Sequence, residues 1–200
     1  MRSSAERTAG RAWAALAALL AAASVLTWWA PASWLDWQPG RAASEPWRAW
    51  TGAFVHWSGQ HLGANLLGTA VVAALGFSAR VPLRLVLAWA VAWPLTQWGL
   101  LLQPALAHYG GLSGVLHAGV TVAGLWLLVA KRGPRRAIGA ALLGGMLIKL
   151  LLEQPWGPAL RYDNDLDIAT APLAHATGAA AGWACAAVAM AWGRQEGIKG

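Results

Sequence analysis

Six stretches of this chain run apolar for close to the roughly 20 residues that an α-helix needs to cross a bilayer core. They lie at about 12–30, 60–79, 85–103, 113–130, 137–152 and 168–192. A segment crossing hydrocarbon must satisfy its own backbone hydrogen bonds, so stretches of this length predict helices. Composition agrees: 58% of residues are hydrophobic and 12% charged, against roughly 25% charged in soluble domains. A soluble globule and a disordered chain are excluded. The expected fold is an all-α membrane protein, one six-helix domain over residues 1–200.

The formal net charge of +7 might suggest a nucleic-acid binder. The positions of the charges give it another meaning. If six spans alternate from a cytoplasmic N-terminus, the inner segments hold Arg2, Arg7, Arg11, Arg80, Arg84, the run Lys131 to Arg136, Arg194 and Lys199. The outer loops hold only Arg41, Arg48 and Arg161, with Lys149 near the outer end of the fifth span. This asymmetry sets the orientation and places both termini in the cytoplasm. The expected partner is therefore the lipid bilayer, and no nucleic acid. Most acidic residues fall outside, among them Asp36, Glu45, Glu153, Asp163, Asp165 and Asp167.

The first span exceeds the 7–15 residues typical of a signal-peptide core, and is read as retained. The outer loop 31–59 carries Trp34, Trp37, Trp47, Trp50 and Trp57, which suit a membrane interface. The single cysteine, Cys185, allows neither an internal disulfide nor a cysteine metal cluster, and reads as packing.

Polar groups inside spans are expensive and therefore suspect as functional. The second span opens with His61 and Asn65, four apart on one helix face. The fourth opens Gly110-Gly111-Leu112-Ser113-Gly114, with His117 four residues after Ser113. The sixth carries His175, Gly178 and Gly182 on one face. His61 precedes Arg80 by 19 residues, Ser113 precedes Lys131 by 18, and His175 precedes Arg194 by 19. At 1.5 Å per residue all three stand about 27–29 Å above the inner boundary. They share one level near the outer surface.

A serine needs a base within hydrogen-bond reach to act as a nucleophile, and His175 is the candidate. Gly178 and Gly182 would let the sixth span approach the fourth closely. The Ser113 amide, the Asn65 amide and the His61 imidazole could steady a developing oxyanion. No aspartate in the spans is available to orient His175, so the expectation is a Ser–His dyad rather than a triad. A metal site built from His61, His117 and His175 is the rival, without a carboxylate in the spans to join it. Neither a metal nor another cofactor is expected. A transporter would carry inverted repeats, which the sequence lacks. Pro94 and Gln97 read as a kink and a helix contact, Met190 as packing, and Lys149 with Glu153 as a paired rim.

These residues resemble the rhomboid intramembrane serine proteases over about residues 46–192. Trp47-Arg48, Thr51 and His56 resemble that family's first-loop pattern. His61-x-x-x-Asn65 resembles its oxyanion motif, Gly111-Leu112-Ser113-Gly114 its nucleophile motif, and His175-x-x-Gly178-x-x-x-Gly182 its general-base helix. The resemblance implies a rhomboid-like bundle with Ser113 as nucleophile and His175 as base. It implies an oxyanion hole of His61, Asn65 and the Ser113 amide. Many members carry Tyr where this chain has His117, which could pack on the base, carry a proton or serve only the helix. Gly-Leu-Ser-Gly-Val-Leu-His resembles the rhombosortase branch, although Ala118 stands where that branch often has Gly. That branch implies a bacterial inner-membrane endopeptidase with its site facing outward. Its implied substrates are membrane-anchored proteins ending in Gly-Gly, an apolar helix and a basic tail. The alternatives are a general rhomboid protease with other helical substrates and a non-catalytic client binder.

Overall fold

Each apolar stretch becomes a helix, joined by loops that cluster at the two ends of the bundle. The computed structural model describes residues 4–165 and 167–199. The long helices are α1 (Ser4–Leu26), α4 (Gly59–Ala79), α5 (Leu83–Trp98), α6 (Ser113–Ala130), α7 (Pro134–Glu153) and α8 (Pro172–Lys199). Two single-turn helices, α2 (Ala32–Leu35) and α3 (Arg48–Thr51), shape the loop between α1 and α4. Arg2 and the side chains of Glu6, Arg7, Arg194, Glu196 and Lys199 lie outside the described residues.

Among the described residues, four segments are long and apolar enough to cross a membrane: Gly59–Ala79, Leu83–Leu102, Ser113–Ala130 and Pro172–Gly193. The first apolar segment is shorter, at Gly10–Leu26. The fifth carries Arg135, Arg136, Lys149 and Glu153 within one helix. The protein is thus a mostly helical bundle with four helices of membrane-spanning character.

One boundary needs correction. The sixth helix begins at Pro172 rather than at 168, because Ile168–Thr170 pairs antiparallel with Arg161–Asp163 as strands β2 and β1. A short two-stranded hairpin thus precedes the last helix of an otherwise helical chain. This hairpin stands before α8, and both strands contribute side chains to the site described below. The third span falls where expected, over Leu83–Leu102, as α-helix to Trp98 and a 3-10 turn over Gly99–Leu102.

α6 is the central helix. Eleven of its eighteen residues are buried, and it packs against α8, α7, α5 and α4. α7 is peripheral, with Gly139 as its single buried residue. Trp13 ties α1 into the bundle. Its indole stacks on Trp89 with centroids 4.3 Å apart, and its N–H donates to the Val72 carbonyl at 2.8 Å. Gly76 makes room, since a Cβ there would lie 2.2 Å from the indole. Trp89 donates in turn to the Val115 carbonyl at 2.9 Å. Both large rings are buried with their donors satisfied, as apolar packing of tryptophan requires.

The outer loop is held by a buried charge. Arg48 donates to the carbonyls of Ser33 and Asp36 at 3.0 and 2.9 Å and to Asp36 Oδ1 at 3.1 Å, and it also pairs with Glu45. The Thr51 hydroxyl donates to the Leu35 carbonyl at 2.7 Å. Asp36 Oδ2 bonds His108 Nδ1 at 2.6 Å, joining the loop to the segment that leads into α6. Trp34, Trp47, Trp50 and Trp57 are exposed as an interfacial belt would be, but Trp37 is fully buried. Its backbone bridges to Tyr109 and its ring meets Trp98, so it belongs to the core rather than to the surface.

Candidate active site

Three helix starts converge at one end of the bundle. Ser58 caps α4, its hydroxyl accepting from the His61 amide at 3.0 Å, which is the usual serine N-cap arrangement. Ahead of α6, Gly111 takes φ +125°, which a side chain rarely adopts. A Cβ at Gly111 would also stand 2.8 Å from the His61 ring. Glycine there lets the loop turn into α6 with His61 pressed against its backbone. α8 is drawn onto α6 by Gly178, where a Cβ would lie 2.0 Å from the Gly114 carbonyl oxygen. Gly182 meets the Ala118 backbone in the same way, one turn on.

This close seat brings Ser113 Oγ and His175 Nε2 to 2.9 Å. The other ring nitrogen, Nδ1, lies 2.7 Å from Glu153 Oε2. A carboxylate only accepts, so Nδ1 carries the proton and Nε2 is left to accept from the serine hydroxyl. His117 lies flat against His175, with centroids 4.2 Å apart and planes 14° from parallel. Its Nδ1 bonds the Ser113 carbonyl at 2.6 Å. His117 thus packs its ring on His175 while bonding the backbone of its own helix.

The spans offer His175 no aspartate, but a glutamate at the end of α7 reaches it. Glu153 sits at the C-terminal end of α7, with one oxygen toward His175 and the other paired with Lys149. The paired rim therefore exists, but it also extends to the candidate base. The missed signal was the depth measure itself. Glu153 follows Arg136 by 17 residues, about 26 Å of helix rise, which is the level of Ser113 and His175.

His61 and Asn65 are both 5% exposed. They line, with Ser113 and His175, one cavity of about 680 Å³. Its walls come from α4, α6 and α7, with Asp163 and Thr170 of the hairpin at its edge. The cavity is mostly apolar along α4 and α6, where Leu67, Val71, Leu116 and Val120 face it. A much smaller pocket of about 30 Å³ adjoins Ser113 and His175 beneath Trp57, His108 and Leu160.

His56 completes the surroundings. Its ring tilts against His61 with centroids 4.7 Å apart, and its Nδ1 bonds the Phe54 carbonyl at 3.1 Å. Burial pushes this imidazole from its ordinary 6.5 down to about 4, so it is neutral at pH 7. Gln97 of α5 is fully buried, with neither amide atom hydrogen-bonded among the described residues.

In comparisons with known proteins, the chain matches no protein-family model and no curated protein.

Proposed function

We propose that the protein is an intramembrane serine endopeptidase of the rhomboid kind, close to the rhombosortase branch. Ser113 is the nucleophile and His175 the general base. In this reading the six long helices all cross the bilayer, both termini are cytoplasmic, and the site opens toward the outer side of a bacterial inner membrane. The hydrogen bond of 2.9 Å between Ser113 Oγ and His175 Nε2 carries the reading. A serine alone in a helix would bond its own backbone. Here the hydroxyl meets a ring nitrogen of another helix, in a cavity wide enough for a peptide segment.

The chemistry follows. Ser113 Oγ bonds to the scissile carbonyl carbon as its proton passes to His175 Nε2, and the carbonyl π pair moves onto oxygen. The oxyanion is met by the Ser113 amide, the Asn65 side chain and the His61 imidazole. The carbon–nitrogen bond then breaks, and the leaving amine takes the proton from Nε2. Water attacks the acyl-serine, gives one proton to Nε2 and releases the new carboxyl terminus. That proton returns to Ser113 Oγ.

A substrate helix must unwind to expose a peptide bond. Gly-Gly at a helix end unwinds at a cost about 1 kcal/mol per residue lower than alanine does. This favours membrane-anchored substrates with a Gly-Gly, apolar-helix and basic-tail C-terminus. The test is co-expression with a tagged protein bearing such a tail. Release of the tagged domain is expected from the native enzyme and is lost in Ser113→Ala and in His175→Ala. Release that survives both substitutions overturns the protease reading.

A further inference from the structure

We propose that Glu153 is a positioning residue for His175, and that Lys149 fixes Glu153 in that role. The inference rests on reading Ser113 and His175 as nucleophile and base. It replaces a two-residue device by a chain of four side chains from three helices: Ser113 of α6, His175 of α8, then Glu153 and Lys149 of α7.

The two carboxylate oxygens of Glu153 are divided. Oε2 is 2.7 Å from His175 Nδ1, and Oε1 is paired with Lys149. A pair formed only along α7, at the i,i+4 spacing, would leave the second oxygen in solvent. Instead it crosses to α8, where the two helices otherwise meet little. His175 and Glu153 side chains are 13% and 27% exposed, so the contact is partly shielded and stronger than a surface pair.

Its consequence is chemical. When Ser113 gives up its proton, the His175 ring becomes cationic. The proton already on Nδ1 stays there, donated to Glu153, and the carboxylate faces the new charge. Glu153 takes no proton in the step. Lys149 Nζ lies 3.4 Å from the same ring nitrogen. It pairs with the other oxygen of Glu153 and so steadies the carboxylate beside the ring, while its own charge opposes the ring cation. Of the other titratable groups around His175, His117 of α6 stacks on the ring, His61 of α4 lies within reach of its charge, Arg161, Tyr162 and Asp163 of β1 line a cavity with it, and His108 and Tyr109 line the small pocket on its other side.

The two α7 residues should therefore act in opposite senses on the pH profile. The full-length protein in detergent is labelled with a fluorophosphonate probe, which reads the reactivity of Ser113 without a known substrate. Glu153→Gln is expected to slow labelling at pH 7 by about 10-fold to 10²-fold. This falls short of the roughly 10⁴-fold cost of a fully buried triad carboxylate, because the site is part exposed. Its acid limb moves to lower pH, since the ring cation has lost its counter-charge. Lys149→Met is expected to move the acid limb to higher pH. A merely structural rim moves neither limb. Selective ¹⁵N NMR of His175 reads the tautomer independently, with the Nδ1–H form dominant in the native protein and reduced in Glu153→Gln. Unchanged limbs in both variants, or an unchanged tautomer, overturn the role of Glu153. A native protein that the probe does not label at Ser113 overturns the nucleophile reading instead, and the tautomer measurement still decides Glu153.

Discussion

His117 and His175 form a parallel ring pair, 4.2 Å between centroids, while His117 is anchored by its own hydrogen bond to the Ser113 carbonyl. One side chain thus touches both the backbone of Ser113 and the face of the His175 ring. Stacked rings of this kind contribute about 0.5–1.5 kcal/mol beyond burial. His117→Tyr and His117→Phe should keep most of the labelling rate, and His117→Ala should lose roughly 3-fold to 10-fold, the equivalent of that energy. Equal loss in all three would assign His117 a proton-carrying part instead.

Asn65 should behave as an oxyanion donor. It lines the cavity beside Ser113 and is buried. Asn65→Ala is expected to lower kcat by about 10²–10³ with little change in KM, because the interaction strengthens only as charge develops. Measured cleavage of a tagged substrate in proteoliposomes separates the two constants. A change confined to KM would move Asn65 from catalysis to substrate binding.

The seat between α6 and α8 should tolerate no side chain. Gly178→Ala places a methyl 2.0 Å from the Gly114 carbonyl oxygen, where backbone rather than a flexible side chain must give way. Overpacking of this sort costs about 1–3 kcal/mol. Because the helices must part, Ser113 labelling should fall together with the thermal midpoint. Gly144→Ala on α7 is the control, with open space at its Cβ position, and should leave both unchanged or raise the midpoint slightly.

Acid should destabilise the protein through His56. The folded state holds this imidazole neutral down to about pH 4, against 6.5 for the free group. Between those values the unfolded chain binds more protons than the folded one. The stabilisation is therefore full above pH 6.5 and is lost as pH falls toward 4, by about 3 kcal/mol for this group. Thermal melts at pH 7 and pH 4.5 should differ by less in His56→Phe than in the native protein. An identical difference in the two would show that other groups carry the acid sensitivity.

Much of this arrangement was legible in the amino-acid order because the solvent is so demanding. A run such as 113–130 has one way to bury its backbone polar groups in hydrocarbon, and α6 covers those same residues. The level shared by His61, Ser113 and His175 could be read from helix rise alone, and the structure places all three side chains on one cavity. What the order did not disclose depends on contacts between distant residues. Glu153 lies 22 residues from His175, and the nearer Lys149 offered a sufficient local partner. Trp37 looked interfacial beside its exposed neighbours, but its burial follows from the bridge to Tyr109 across the loops. The start of α8 was misplaced because Ile168–Thr170 is apolar enough to extend a helix, and only its pairing with β1 shows otherwise.

The close approach at Gly178 also bears on how such a chain can change over generations. The separation of Ser113 and His175 is set by one backbone resting on another, and not by the fit of large side chains. Residues on the outer faces of both helices, Val129, Trp183 and Val188 among them, are exposed and can be exchanged for other apolar residues with little effect on that distance. The lipid-facing surface is then free to drift with the membrane it inhabits, while Ser113 and His175 stay in register on a few glycines.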